Sequence, residues 1–230
     1  MLNGSVKNMY LVVTQKKWHI DNFKKVKNKK FRLISNRKKI KYNYISKLKP
    51  KLIFFPHWSL KVPKKITEKF KCVCFHETNL PYGRGGTPIQ NLIIRKKKNT
   101  IISAFIMNDK IDAGDIIKKK PLMLDGSAQE IYERSSKIIF SMIKDIIKMK
   151  KIVSYKQKGK ITKFKRLANN SEINTKVDNL DSIYDHIRML DAETYKNAFL
   201  IKDKISITFF NVKKIKNKLK SNVIIDIHDK

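Results

Sequence analysis

Two side chains in this sequence are spaced to move a proton together. His76 closes the apolar run Cys72-Val73-Cys74-Phe75 and opens onto a turn dense in glycine and proline, Asn79 to Pro88. Asp112 follows the alternating run Thr100 to Met107 and starts the turn Asp112-Ala113-Gly114-Asp115. An imidazole titrates near neutrality, and a carboxylate beside it can orient the ring and stabilise its charged form. On position alone a histidine at a strand end packs more often than it reacts, and Asp-Ala-Gly is a good turn in its own right. Gly83-Arg84-Gly85-Gly86 is not a Walker A loop, because no Lys-Ser/Thr follows, and it lacks the third glycine of the dinucleotide fingerprint.

The elements that must position these residues alternate. Met9 to Val13, Phe31 to Ser35, Lys51 to Phe55 and Cys72 to Phe75 read as strands, the last two as apolar runs buried on both faces. Trp18 to Lys27, Lys39 to Leu48 and Pro63 to Phe70 read as the helices between them. A β-α-β-α-β order predicts an α/β fold, a Rossmann-like open and mostly parallel sheet, and such sheets bind ligands outside the carboxyl ends of their strands. A helix is expected from Ile89 to Ile94, and a strand begins at Ile116. Ser127 to Met149 reads as a long amphipathic helix opened by a Ser127/Glu130 capping box. Beyond Lys151 the texture changes. Lys156 to Lys165 reads as a polar linker, Leu180 to Leu190 as a helix, and Ala198–Ile201 and Ile205–Phe209 as short strands. The expected organisation is a catalytic domain over 1–155, a small α+β subdomain over 156–212 and a basic tail over 213–230.

Composition narrows the classes. The hydrophobic fraction is 41%, enough for a core, and no apolar run is long enough to span a bilayer. Met1 to Thr14 lacks the parts of a secretion signal, so a soluble, cytoplasmic chain is expected. Cys72 and Cys74 lie two apart on one strand, too close for an unstrained disulfide, and no second pair completes a zinc site, so no metal is expected. The net charge of +34 suggests nucleic acid. Only seven of the 53 basic residues are arginine (Arg32, Arg37, Arg84, Arg95, Arg134, Arg166 and Arg188), whereas phosphate-gripping surfaces favour its planar fork. The field draws in anionic ligands of any kind.

In order, the pieces carry more. Phe75-His76-Glu77-Thr78-Asn79-Leu80-Pro81-Tyr82-Gly83-Arg84-Gly85-Gly86-Thr87-Pro88 resembles the active-site segment of the folate-dependent formyltransferases, whose pattern is roughly N-x-H-x-S-L-L-P-x-x-R-G-x-x-P. Ser103 to Ile117 is similar to the family's next block, a strand leading into D-x-G-D. Phe164 to Ser171, Ile187-Arg188 and Ala198-Phe199 resemble the segment that follows the catalytic domain. The resemblance implies the formyltransferase fold and an Asn-His-Asp triad. His76 and Asp112 match two members. The third position holds Cys74, which cannot supply the amide donor. Asn79, or else Thr78, is the expected replacement. By position in the family pattern, Pro56, His57, Trp58 and Ile111 flank the folate, with core or loop packing an equal reading for Trp58; Arg84 and Gly85 are the candidate substrate contacts, Arg84 either binding an anionic group or bracing the turn.

The resemblance implies transfer of a formyl group from 10-formyl-tetrahydrofolate to an amine. The short region after residue 155 and the Pro-Tyr-Gly-Arg-Gly-Gly-Thr-Pro turn favour an amino sugar carried on a nucleotide. The competing readings are methionyl-tRNA as acceptor, hydrolysis with water as acceptor, and a degenerate homologue that binds RNA.

Overall fold

The computed structural model describes residues 9–167, 171–174 and 179–227. The chain divides into two compact units, one of residues 1–84, 101–122 and 133–162, the other of 85–100, 123–132 and 163–230. The expected boundary at residue 155 therefore falls inside the first unit, and the glycine-rich loop beyond Arg84 groups with the C-terminal elements.

Four strands open the sheet: β1 (Tyr10–Val13), β2 (Phe31–Ile34), β3 (Leu52–Pro56) and β4 (Cys72–His76). Helices α1 (Lys17–Lys24), α2 (Tyr42–Leu48) and α3 (Lys64–Lys69) connect them. Adding β5 (Asn99–Ile106) and β6 (Ile116–Met123) gives a six-stranded sheet of order β2-β1-β3-β4-β5-β6. β1, β2, β3 and β4 pair in parallel, as crossover helices require, and β3 and β4 are buried at every position. Leu11, Ile53, Phe55, Ile66 and Phe105 form the centre of one core cluster. Burial of each such side chain contributes roughly 2 kcal/mol.

β5 departs from the expected pattern. It pairs antiparallel to β4, with Ile106 opposite Val73. The residues after β5 thus leave the sheet three positions before His76. β6 is the outer strand. Lys118 and Lys120 point to one face, where both ammonium groups lie 2.8 Å from Asp145 of helix α5 (Ala128–Lys148). Pro121 is tolerated there because an edge strand leaves half its amides unpaired.

In the second unit lie helix α4 (Pro88–Ile94), helix α6 (Leu180–Leu190) and an antiparallel sheet of β7 (Ala198–Lys202), β8 (Ile205–Ile215) and β9 (Lys218–Ile227). The stretch expected as a basic tail from 213 is instead the end of β8, a turn at Lys216-Asn217, and all of β9. Lys216 has φ +47°, as the first central residue of a tight hairpin often does. Residues 228–230 lie outside the described residues. Gln90 joins α4 to its surroundings by donating to Tyr132 Oη (3.1 Å) and to the Met189 carbonyl (3.0 Å). Ser127 and Glu130 exchange the two bonds of a capping box at the start of α5.

Arg188 is 8% exposed and donates to the carbonyls of Leu124 and Gly126 while pairing with Asp185 at 2.7 Å. Arg188→Met would leave the buried Leu124 carbonyl, the partly buried Gly126 carbonyl and a carboxylate without their donor. It is expected to lower stability by about 3 kcal/mol, measured as a fall in the urea midpoint at unchanged m-value.

Candidate active site

The carboxyl end of β4 delivers His76, 8% exposed, into the turn that follows. Its Nε2 lies 2.8 Å from the Gly83 carbonyl oxygen. A carbonyl only accepts, so Nε2 carries the proton. Nδ1 is then the ring atom left for acid/base work, and it faces Asp112 Oδ2 at 3.6 Å. A proton arriving at Nδ1 would find a carboxylate oxygen beside it. The structure thus brings together the two residues singled out by sequence. Asp112 comes from the β5–β6 connection, with φ +49°, and not from the end of a parallel neighbour.

The Asp112 turn depends on its glycine. A Cβ at Gly114 would sit 1.6 Å from the Ile106 carbonyl oxygen, so the turn can lie against β5 only without a side chain there. Gly86 (φ +58°) is under the same constraint in the second unit, where a Cβ would meet the Phe164 and Lys165 carbonyls at 2.7 Å. The Gly83-Arg84-Gly85-Gly86 run therefore serves close backbone approach in its second half. Gly85 also has positive φ (+74°).

The other expected residues are distributed unevenly. Asn79 is exposed, and its side-chain oxygen accepts from Lys119 Nζ at 2.6 Å. Lys119 also donates to the Leu80 carbonyl (2.9 Å), pinning the turn to β6. Thr78 is fully buried. Cys74 packs in the core, its thiol 3.5 Å from the Phe55 carbonyl, and burial pushes it well above the usual thiol range. Arg84 directs Nε and Nη2 at Gln157 Oε1 (3.2 and 2.7 Å). Pro56 is buried at the end of β3, and Ile111 is 77% exposed. Trp58 packs edge-on against Phe55 and lines a cavity of about 300 Å³ with Arg37, Lys38, Ile40, Leu60, Lys61 and Pro63. Its Nε1 is buried with no hydrogen-bond partner among the described residues. An indole with an orphan donor beside three cations fits an anionic aromatic group. Among the described residues, no cluster of His, Cys, Asp and Glu could hold a metal, and no helix is long and apolar enough to cross a membrane.

His57 is turned inward, toward Glu77, with 3.7 Å between Nδ1 and Oε1. Burial, then the charges of Lys16 and His76, hold its imidazole down at about 3, so it is neutral at neutral pH and the contact is not an ion pair. Glu77 is 2% exposed, accepts from Ser135 Oγ (3.2 Å), and is pushed up chiefly by burial. His19, fully buried and bonded to Ser136 Oγ at 2.8 Å, is likewise held low by burial. Sequence reasoning missed Glu77, Gln157 and Thr162. Glu77 carried one usable signal, a carboxyl inside a run of buried residues. Thr162 lies in the expected polar linker, 156–165. Its Oγ1 accepts from Gly83 N (2.7 Å) and its carbonyl accepts from Arg84 N (2.9 Å), so this stretch is a strap and not a linker.

Residues 5–143 match the formyl transferase family, and residues 168–226 match the methionyl-tRNA formyltransferase C-terminal domain. The chain belongs to the formyl transferase family. A solved methionyl-tRNA formyltransferase from Clostridium thermocellum is 41% identical, superposes with a TM-score of 0.90, and is matched over 96% of this chain and 99% of its own. The curated methionyl-tRNA formyltransferase of Bacillus mycoides is 28% identical over 163 residues, 67% of this chain and 52% of the relative. A 4-N formyltransferase from Francisella tularensis shares the fold at 21% identity, with a TM-score of 0.64, over 85% of this chain and 93% of its own. The chain spans about half the length, or less, of the curated relatives it matches.

The pH dependence of stability follows from the buried imidazoles. His57 binds a proton near pH 6.5 when unfolded and only near 3 when folded. Its contribution is therefore full above about 6.5 and is lost as pH falls, by about 2 kcal/mol down to pH 5. Glu77 has the opposite sign, because a raised carboxyl loses stability as pH rises through its folded value. Urea midpoints at pH 7.5 and pH 5 are expected to drop on acidification, and His57→Gln is expected to shrink that drop. Gly114→Ala is expected to cost more than about 3 kcal/mol at either pH.

Proposed function

We propose that this chain transfers a formyl group from 10-formyl-tetrahydrofolate to the amino group of methionyl-tRNA. The observation that carries the chemistry is the His76 ring, proton-donating at Nε2 to Gly83 and open at Nδ1 toward Asp112. The amine attacks the formyl carbon of the donor, the bond from that carbon to the folate nitrogen breaks, and the nitrogen leaves with a proton as tetrahydrofolate. Nδ1 of His76 takes the proton that the attacking amine must lose, and Asp112 stabilises the ring while it is charged. Asn79 supplies, through Nδ2, the donor that Cys74 lacks, its oxygen end being anchored by Lys119. The cavity beside Trp58, with Arg37, Lys38 and Lys61, suits the aromatic and carboxylate parts of a folate. Pro56 and Ile111 are assigned to the donor side, and Arg84 and Gly85 to the acceptor side.

The acceptor expected from the sequence was an amino sugar. The match of residues 168–226 to a methionyl-tRNA formyltransferase C-terminal domain supports tRNA over the sugar. The 41% identity to the Clostridium thermocellum protein over nearly the whole of both chains supports the same choice. So does the +34 charge, which suits a polyanion. After residue 155, β9 joins the two short strands read from the sequence in a three-stranded sheet.

Release of tetrahydrofolate from 10-formyl-tetrahydrofolate, with methionyl-tRNA, a nucleotide-linked amino sugar or no acceptor, tests the reading. Turnover is expected only with methionyl-tRNA, with a KM that rises steeply with salt. His76→Ala is expected to lower kcat by about 10²–10⁴-fold, and Asn79→Ala by about 10–100-fold. Turnover with the sugar alone would overturn the acceptor. No turnover in any arm would overturn the activity.

A further inference from the structure

We infer that Gln157 is a positioning residue, whose single carboxamide clamps the turn of Asp112 to the loop of Gly83 and so sets how His76 meets its two partners. Nothing in the sequence marks it, since it sits in a stretch of lysine, glycine and isoleucine that reads as a linker. In the fold, the residues on either side of it, 153–156 and 158–161, are exposed, whereas Gln157 is half-buried.

Both ends of its amide are used to capacity. Nε2 donates to the Asp112 carbonyl (2.9 Å) and to the Gly114 carbonyl (2.8 Å). Oε1 accepts from Arg84 Nε (3.2 Å) and Nη2 (2.7 Å). The amide cannot be flipped, because carbonyls only accept and a guanidinium only donates. The two carbonyls belong to the turn that carries Asp112 at φ +49°, a left-handed conformation that aspartate tolerates at some cost. The guanidinium belongs to the residue after Gly83, whose carbonyl takes the Nε2 proton of His76. One side chain therefore ties together the partner of Nε2 and the partner of Nδ1. It touches neither the ring nor any reacting atom. Arg84, assigned above to the acceptor side, has Nε and Nη2 committed to this clamp.

The inference rests on the proposed formyl transfer for its kinetic arm only. With methionyl-tRNA and 10-formyl-tetrahydrofolate, Gln157→Ala and Gln157→Leu are expected to lower kcat about 10–100-fold while both KM values stay within about threefold. Gln157→Glu keeps the acceptor for Arg84 but sets a carboxylate against two carbonyl oxygens, and it should be no better than alanine. A second readout needs no turnover. The His76 imidazole ¹³Cε1–¹H resonance, assigned by its loss in His76→Ala, is expected to move in Gln157→Ala and Gln157→Leu at fixed pH and without ligand. A folded variant with an unmoved His76 resonance would overturn the inference, as would a Gln157→Glu protein of wild-type rate. A rise in KM at unchanged kcat would make Gln157 a binding group and also overturn it. Loss of the folded state in both the alanine and leucine variants would make it a structural residue only. If wild type turns over no acceptor, the proposed activity fails while the resonance still decides the role of Gln157.

Discussion

The hydrogen bond from His76 Nε2 to the Gly83 carbonyl governs the rest of the site. It decides which ring nitrogen is occupied and which is available, and hence which atom Asp112 must face. A backbone carbonyl is a demanding partner for that task, because its position is the position of a loop. The loop is accordingly held from several directions: by Lys119 at Leu80, by Thr162 at Gly83 and Arg84, and by Ser103, whose hydroxyl bridges the Leu80 amide and the Thr78 carbonyl. Much of the polar chemistry around β4 exists to keep one oxygen in place.

A second layer of constraint is electrostatic. Glu77, His57 and His19 lie in a stretch of interior where charge is costly, and burial displaces each toward its neutral form; neighbouring charges add to this for the two imidazoles, whereas His76 and the Ser135 hydroxyl act against it at Glu77. Lys16 contributes to holding both imidazoles neutral, and its ammonium also lies 5.5 Å from the Trp18 ring centroid. The region behind His76 is thus polar in composition but disfavours charge, which confines the charge change of the proposed proton transfer to His76 and Asp112.

What could be read from the sequence was what repeats locally. β3 and β4 announce themselves as apolar runs because both faces are buried, and α5 does so through its capping box. The pairing of His76 with Asp112 was legible from motif order, but the route was not. An antiparallel β5 looks the same as a parallel one residue by residue. Only the start of β6 could be read, because Lys118, Lys119 and Lys120 look like solvent-facing residues, whereas Asp145 takes two of them and the 79–80 turn the third. β9 was missed because most of its residues are exposed and its lysines interrupt any apolar alternation. His57 was expected at a ligand and instead faces Glu77. Gln157 and Thr162 were invisible for a different reason, since their partners, backbone groups and the Arg84 guanidinium, lie tens of residues away in the chain, and no pattern in their own neighbourhood encodes that.

The two cysteines have a consequence outside catalysis. Both lie on β4; burial pushes Cys72 up to about 12 and also raises Cys74 well above the usual thiol range. A thiolate is the form that alkylating reagents react with, and burial disfavours it at both positions, so alkylation is expected to wait for the central strand to open. Because there are no other cysteines, the rate at which a maleimide consumes thiol counts those openings directly. The strand that carries His76 contains its own reporter of local unfolding, already present in the natural sequence.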